Sequence, residues 1–160
     1  MGGGPCSPPG NSATVSLVSR SLQDNLADLA GRYGLNAVYV FGSPAREVAA
    51  LIRGNPAVSV SPRSDVDVGV LPKPGKELSA RDRVQLMAAL EDLFGVGRVD
   101  LVVLPEASAF LAADAINGEL LYDAVPDHTA EFELYVLRRA GDLIGFERER
   151  EQLILRRGGR

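Results

Sequence analysis

Asp65 and Asp67 stand two residues apart in the run Ser64-Asp65-Val66-Asp67-Val68-Gly69-Val70. On a strand, alternate side chains share a face, so both carboxylates project to one side, roughly 6–7 Å apart. Two bare charges at that spacing repel by about 2.5 kcal/mol at an effective dielectric near 20. Aspartate is also a poor strand residue. Two of them on one face of an apolar strand demand a compensating cation, and Mg²⁺ is the one best suited to carboxylate and phosphate oxygens. A third carboxylate, Asp100, interrupts Val99-Asp100-Leu101-Val102-Val103-Leu104, a run otherwise fit for a buried sheet. A buried carboxylate must be paired, metal-bound or neutralised. Arg98 is an ordinary structural partner for it, so that alternative stands beside metal binding.

Gly42-Ser43 closes another apolar run, Ala37-Val38-Tyr39-Val40-Phe41. Glycine lets the backbone approach an anion, and a following helix start offers free N–H groups and the positive end of its dipole. A Gly-Ser turn alone is common in α/β proteins, where the serine serves as a cap. The combination is more specific. Three carboxylates on adjacent strands form a platform for two Mg²⁺ ions, and a phosphate cradle lies upstream. That is the equipment of metal-assisted phosphoryl transfer.

The elements that must position these groups follow from periodicity and turn chemistry. Leu17, Leu22, Leu26, Leu29 and Ala30 predict a helix over 16–33, stopped at Gly34. A strand over 37–41 leads through Gly42-Ser43 into a helix over 44–53, with Pro44 in its first turn, where a missing N–H is harmless. Residues 54–63 are turn-rich, a loop or short hairpin, and 64–71 form the Asp-x-Asp strand. A helix over 78–94 follows, with Ser79 and Asp82 in a capping arrangement. Then come the Asp100 strand over 99–104, a short helix over 106–117, a strand-like piece over 119–123 and a long helix over 128–152. Residues 1–13 are Gly, Pro and Ser-rich and predict a flexible head, and 153–160 predict a frayed tail.

The chain has 160 residues, enough for one domain with a sizeable core and too few for two. A net charge of −4 gives no basic footprint for bulk nucleic acid. The lone Cys6 excludes an internal disulfide and points to a cytoplasmic protein. No apolar run approaches a membrane span. His128, the one histidine, reads as a surface or capping residue.

The motifs FGSPAR, SDVDVGV and VDLVVL, with NGELLYD at 117–123, resemble the DNA polymerase β-like nucleotidyltransferases, and among them the minimal (MNT) type. The resemblance spans residues 16–152. It implies a small mixed sheet flanked by helices and transfer of a nucleoside monophosphate, AMP from ATP, to a hydroxyl. It also implies roles. Gly42 and Ser43 would bind the β- and γ-phosphates. Asp65 and Asp67 would ligate two Mg²⁺ ions. Asp100 would complete the metal site and help deprotonate the acceptor. Arg46 would touch a phosphate, and Ser64 flanks the nucleotide.

One departure is clear. Twenty-one residues separate Ser43 from Asp65, about twice the family spacing, which places an insertion near 48–62. Doubling a loop costs only ~0.6 kcal/mol in closure entropy. A second departure, Glu47 where the family has glycine, leaves the orientation of Arg46 open. Many MNT proteins are antitoxins that transfer AMP to a tyrosine of a HEPN toxin, which makes such a toxin the expected partner. Two other readings stay open: transfer to a small hydroxylated molecule such as an aminoglycoside, and a non-catalytic binding module. The apolar surplus of the terminal helix leaves room for a toxin interface or a homo-oligomer.

Overall fold

The computed structural model describes residues 21–157, with side chains as far as Leu143. The expected flexible head and residues 16–20 of the first expected helix lie outside the described residues, as do 158–160.

Helix α1 (Leu22–Tyr33) begins at a reciprocal cap: Asp24 N–H donates to Ser21 Oγ, and Ser21 N–H donates to the Asp24 carboxylate. Strand β1 (Leu35–Phe41) is buried along its whole length. Helix α2 (Ala45–Ile52) buries Val48, Ala49 and Ile52. Strand β2 (Asp65–Pro72) is exposed only at its start, where the two aspartates lie. Helix α3 (Ala80–Phe94) has the expected Ser79–Asp82 box. Asp82 N–H donates to Ser79 Oγ at 3.1 Å and Ser79 N–H to Asp82 at 3.0 Å. Those bonds hold the Asp82 carboxyl below its usual range. Strand β3 (Arg98–Val103) ends in a 3₁₀ turn at Leu104–Glu106, because Pro105 cannot continue a ladder. Helix α4 (Ala109–Ile116) is capped by Ser108, so it starts later than the pattern predicted. Strand β4 (Glu119–Asp123) precedes α5 (Pro126–Arg157). The backbone of α5 extends through 153–157, which the pattern had assigned to a tail. That stretch has no Gly or Pro until Gly158.

The four strands form one mixed sheet in the order β3-β2-β1-β4, with β2 and β3 parallel and the other pairs antiparallel. Period-two alternation divides the apolar residues between two faces. Val38, Val40, Val66, Val68, Val70 and Val99 meet Leu26, Val48, Ile52, Leu86 and Leu90 from α1, α2 and α3. Ala37, Tyr39, Phe41 and Leu71 meet Leu104, Ala115 and Phe132 on the α4 and α5 side. Each buried large aliphatic contributes about 1.5–3 kcal/mol, so this two-sided core holds the sheet against movement at its ends. Helix α5 is tied down by polar bonds as well. Tyr39 OH donates to Glu133 at 2.8 Å, and Asn36 Nδ2 donates to Thr129 Oγ1 at 2.9 Å.

Candidate active site

The end of β1 and the starts of β2 and β3 come together at one end of the sheet. The register pairs Phe41 with Asp67, Asp67 with Asp100, and Asp65 with Arg98. Paired residues share a face, and Asp65 and Asp67 are two apart. All three carboxylates and Arg98 therefore lie on the α4 side of the sheet. The valines between them, Val66 and Val99, face the larger core and are buried. Their burial leaves no freedom for the aspartates to turn over, because a one-residue slip would expose those valines.

Gly42 joins this cluster to the turn before α2. Its φ is +79°, a conformation L side chains rarely adopt, and a Cβ there would stand 2.8 Å from Asp67 Oδ2. The Asp67 carboxylate thus rests against the turn backbone. Ser43 makes no hydrogen bond among the described residues, and Pro44, not Ser43, occupies the cap position of α2 without a side-chain bond. The Ser43 hydroxyl is therefore not spent on capping.

The charges are unbalanced. Asp67 is half-buried, and its carboxyl is raised above the usual carboxylate range, first by burial, then by the charges of Asp100 and Asp65. Arg98 opposes that shift. Its Nε and Nη2 donate to Asp100 Oδ1 at 3.1 and 3.0 Å, and that bond is the main reason its own pKa is raised. The structural pairing of Asp100 is thus realised, and Arg98 enters the cluster as a residue the motif search treated only as a neutraliser. Three carboxylates against one guanidinium leave an excess of negative charge.

No three His, Cys, Asp or Glu among the described residues form a ready metal cage, and Asp100 Oδ1 is engaged by Arg98. The donor set still fits a hard divalent cation in kind: oxygen ligands only, on one face, with mutual repulsion that such a cation relieves.

A cavity of about 540 Å³ opens beside the turn, bordered by Gly42, Ser43, Arg46, Asp114, Asn117 and Glu119. This is within the usual range for small-molecule sites. The α4–β4 turn comes this close because position 118 is glycine; a Cβ there would collide with the Val40 carbonyl oxygen. Arg46 borders the cavity and has no ion-pair partner among the described residues, whereas Arg53 is held by Glu119 at 3.0 Å. The seven candidates from the sequence, Gly42, Ser43, Arg46, Ser64, Asp65, Asp67 and Asp100, therefore gather at one end of the sheet. Asp114 carried no signal of its own, and Asn117 only as the first residue of the NGELLYD segment. Only the packing of Gly118 against β1 brings them there.

The family model described as Polymerase beta, Nucleotidyltransferase matches residues 24–127. A comparison with curated protein sequences gave no match. Among solved structures, a toxin–antitoxin crystal structure with AMP-PNP matches with a TM-score of 0.56 and 23% identity, covering 82% of this chain and 94% of that one. The toxin–antitoxin MntA-HepT matches with a TM-score of 0.52 and 21% identity, covering 83% and 93%. A tri-AMPylated Shewanella oneidensis HEPN toxin in complex with MNT antitoxin matches with a TM-score of 0.53 and 21% identity, covering 83% and 92%. At these identities the likeness is one of fold.

Proposed function

The chain belongs to the polymerase β nucleotidyltransferase family, and from that premise we propose that it transfers AMP from ATP to a hydroxyl of a protein partner. The proposed domain is 16–152, with the insertion near 48–62. The observation that carries the reading is the shared face of Asp65, Asp67 and Asp100 against the Gly42-Ser43 turn.

In this reading Gly42 and Ser43 bind the β- and γ-phosphates through backbone N–H groups and the Ser43 hydroxyl, and Arg46 adds a charge-assisted contact. Asp65, Asp67 and Asp100 would hold Mg²⁺, for which two ions are expected. When bound, Mg²⁺ supplies neutralisation of the triphosphate and of the charge that develops on the attacking and leaving oxygens. The acceptor oxygen forms a bond to the α-phosphorus, the bond to the bridging oxygen breaks, and pyrophosphate leaves. The acceptor proton passes to the Asp100 carboxylate, whose Oδ1 alone is engaged by Arg98.

For the acceptor we propose a tyrosine of a HEPN toxin, which would make this chain an antitoxin. Support comes from the toxin–antitoxin complexes that share the fold and from the apolar surface of α5. There Leu134 and Leu137, one turn apart, are 54% and 49% exposed. The test is incubation with α-labelled ATP, Mg²⁺ and a co-expressed HEPN partner. Label is expected on the partner and absent with Asp65→Asn/Asp67→Asn. Label transfer that survives this double substitution would falsify the site, and label found only on added aminoglycoside would replace the acceptor.

A further inference from the structure

The insertion between α2 and β2 is a built element. Its start is closed by Asn55, whose N–H donates to Ala50 O and whose Oδ1 accepts from Ala57 N–H at 3.1 Å. Val60 packs against the larger core. The Pro62 carbonyl accepts from Gly97 N–H at 2.9 Å, and Ser64 N–H donates to Ser61 O at 2.9 Å. The segment is thereby pinned to the entry of β3, the strand that carries Asp100.

Pinned in this way, it faces the Gly42-Ser43 turn across a second recess of about 360 Å³. Ser43, Glu47, Ser59, Ser61 and Ser64 border it, with Val60 and Pro44. Four serines line this space. Ser59 and Ser61 are exposed, and neither hydroxyl donates a hydrogen bond among the described residues; Ser61 Oγ only accepts, from Arg63 N–H at 3.3 Å. Hydroxyl groups with unused donors, opposite the Gly42-Ser43 turn, complement phosphate oxygens. Glu47 is the one carboxylate on this rim.

Resting on the nucleotidyl transfer proposed above, we propose that Ser59 and Ser61 form the far wall of the triphosphate cradle, donating to the β- and γ-phosphate oxygens of the donor and to the pyrophosphate that leaves. The wall belongs to the segment between α2 and β2, where the sequence places the insertion.

Calorimetric titration of the full chain with ATP, pyrophosphate and AMP, each with Mg²⁺, tests this against Ser59→Ala/Ser61→Ala. Hydrogen bonds to charged groups are the stronger class, so the variant is expected to bind ATP and pyrophosphate roughly tenfold to a hundredfold more weakly. AMP binding should not change. Unchanged ATP affinity overturns the wall and leaves the transfer reading intact. Equal weakening of AMP and ATP also overturns it, since the serines would then act elsewhere than on the outer phosphates. A wild-type chain that binds no ATP removes the transfer reading and the wall together.

Discussion

Asp67 bears the largest electrostatic load in the site. Burial and two neighbouring carboxylates raise its pKa in the folded chain. A raised carboxyl contributes stability only while it is protonated, and that contribution is lost as pH rises through the raised value. Once ionised, and without metal, Asp67 therefore opposes folding. Asp67→Asn is expected to raise the melting temperature of the metal-free protein by about 1–2 °C. On the proposed reading the same change should lower nucleotidyl transfer roughly a thousandfold or more, because one of the carboxylates that would hold Mg²⁺ is lost. Thermal unfolding in chelator and a label-transfer assay read the two effects separately. Tyr39 gives the alkaline counterpart. Its phenol is buried and donates to Glu133, and burial is the main cause of its raised pKa. A raised tyrosine stabilises the fold fully below its unfolded value and progressively less above it. Wild-type stability should fall as pH passes about 10. Tyr39→Phe should cost about 1–2 kcal/mol near neutrality and fall less steeply in that alkaline range, as denaturant titrations at several pH values would show.

At the scale of elements, the turn between α4 and β4 and the cap of α3 make opposite cases. Gly118 lies against β1 so closely that any Cβ meets the Val40 carbonyl. Gly118→Ala should destabilise the chain by about 2–3 kcal/mol, as overpacking does. It should also weaken ATP binding, because the turn that borders the Gly42-Ser43 cavity must move. Ser79→Ala removes a cap at the start of α3, which is not among the elements that border the site. It should cost about 1 kcal/mol and leave ATP affinity unchanged. Urea denaturation paired with ATP titration separates the two variants. An equal loss of ATP affinity in both would mean that the cavity reports global stability, not local shape.

Across the whole molecule, the sheet is clamped on both faces and its unsatisfied charge is concentrated at one end. A ligand that binds only the folded state stabilises it by mass action. Mg²⁺ at ten times its dissociation constant should therefore add about 1.4 kcal/mol. Asp65→Asn/Asp67→Asn should abolish that shift, and scanning calorimetry with and without chelator measures it. Among the described residues no helix is long and apolar enough to cross a membrane. The 32-residue α5 instead leaves Leu134, Leu137 and Leu143 on its surface.

Much of this was legible in the chain itself, wherever the governing rule is local. The shared face of Asp65 and Asp67 follows from the two-residue repeat of a strand. The Ser79–Asp82 cap follows from the three-residue reach of a side chain to its own helix start. Gly42, Ser43, Asp65, Asp67 and Asp100 were read from such rules, whereas Arg46 and Ser64 became candidates through the family resemblance. Other features needed distant parts of the chain to meet. The parallel register of β2 and β3 decides that Asp100 stands beside Asp67. Packing decides that Pro62 docks on Gly97 and that Asn117 borders the Gly42 turn. The Arg98–Asp100 pair is a local case, two residues apart on one face and open in the sequence as an alternative to metal binding. Backbone geometry fixes neighbours within a few residues, while register and crossover depend on the packing of the entire core and leave no mark in any short stretch.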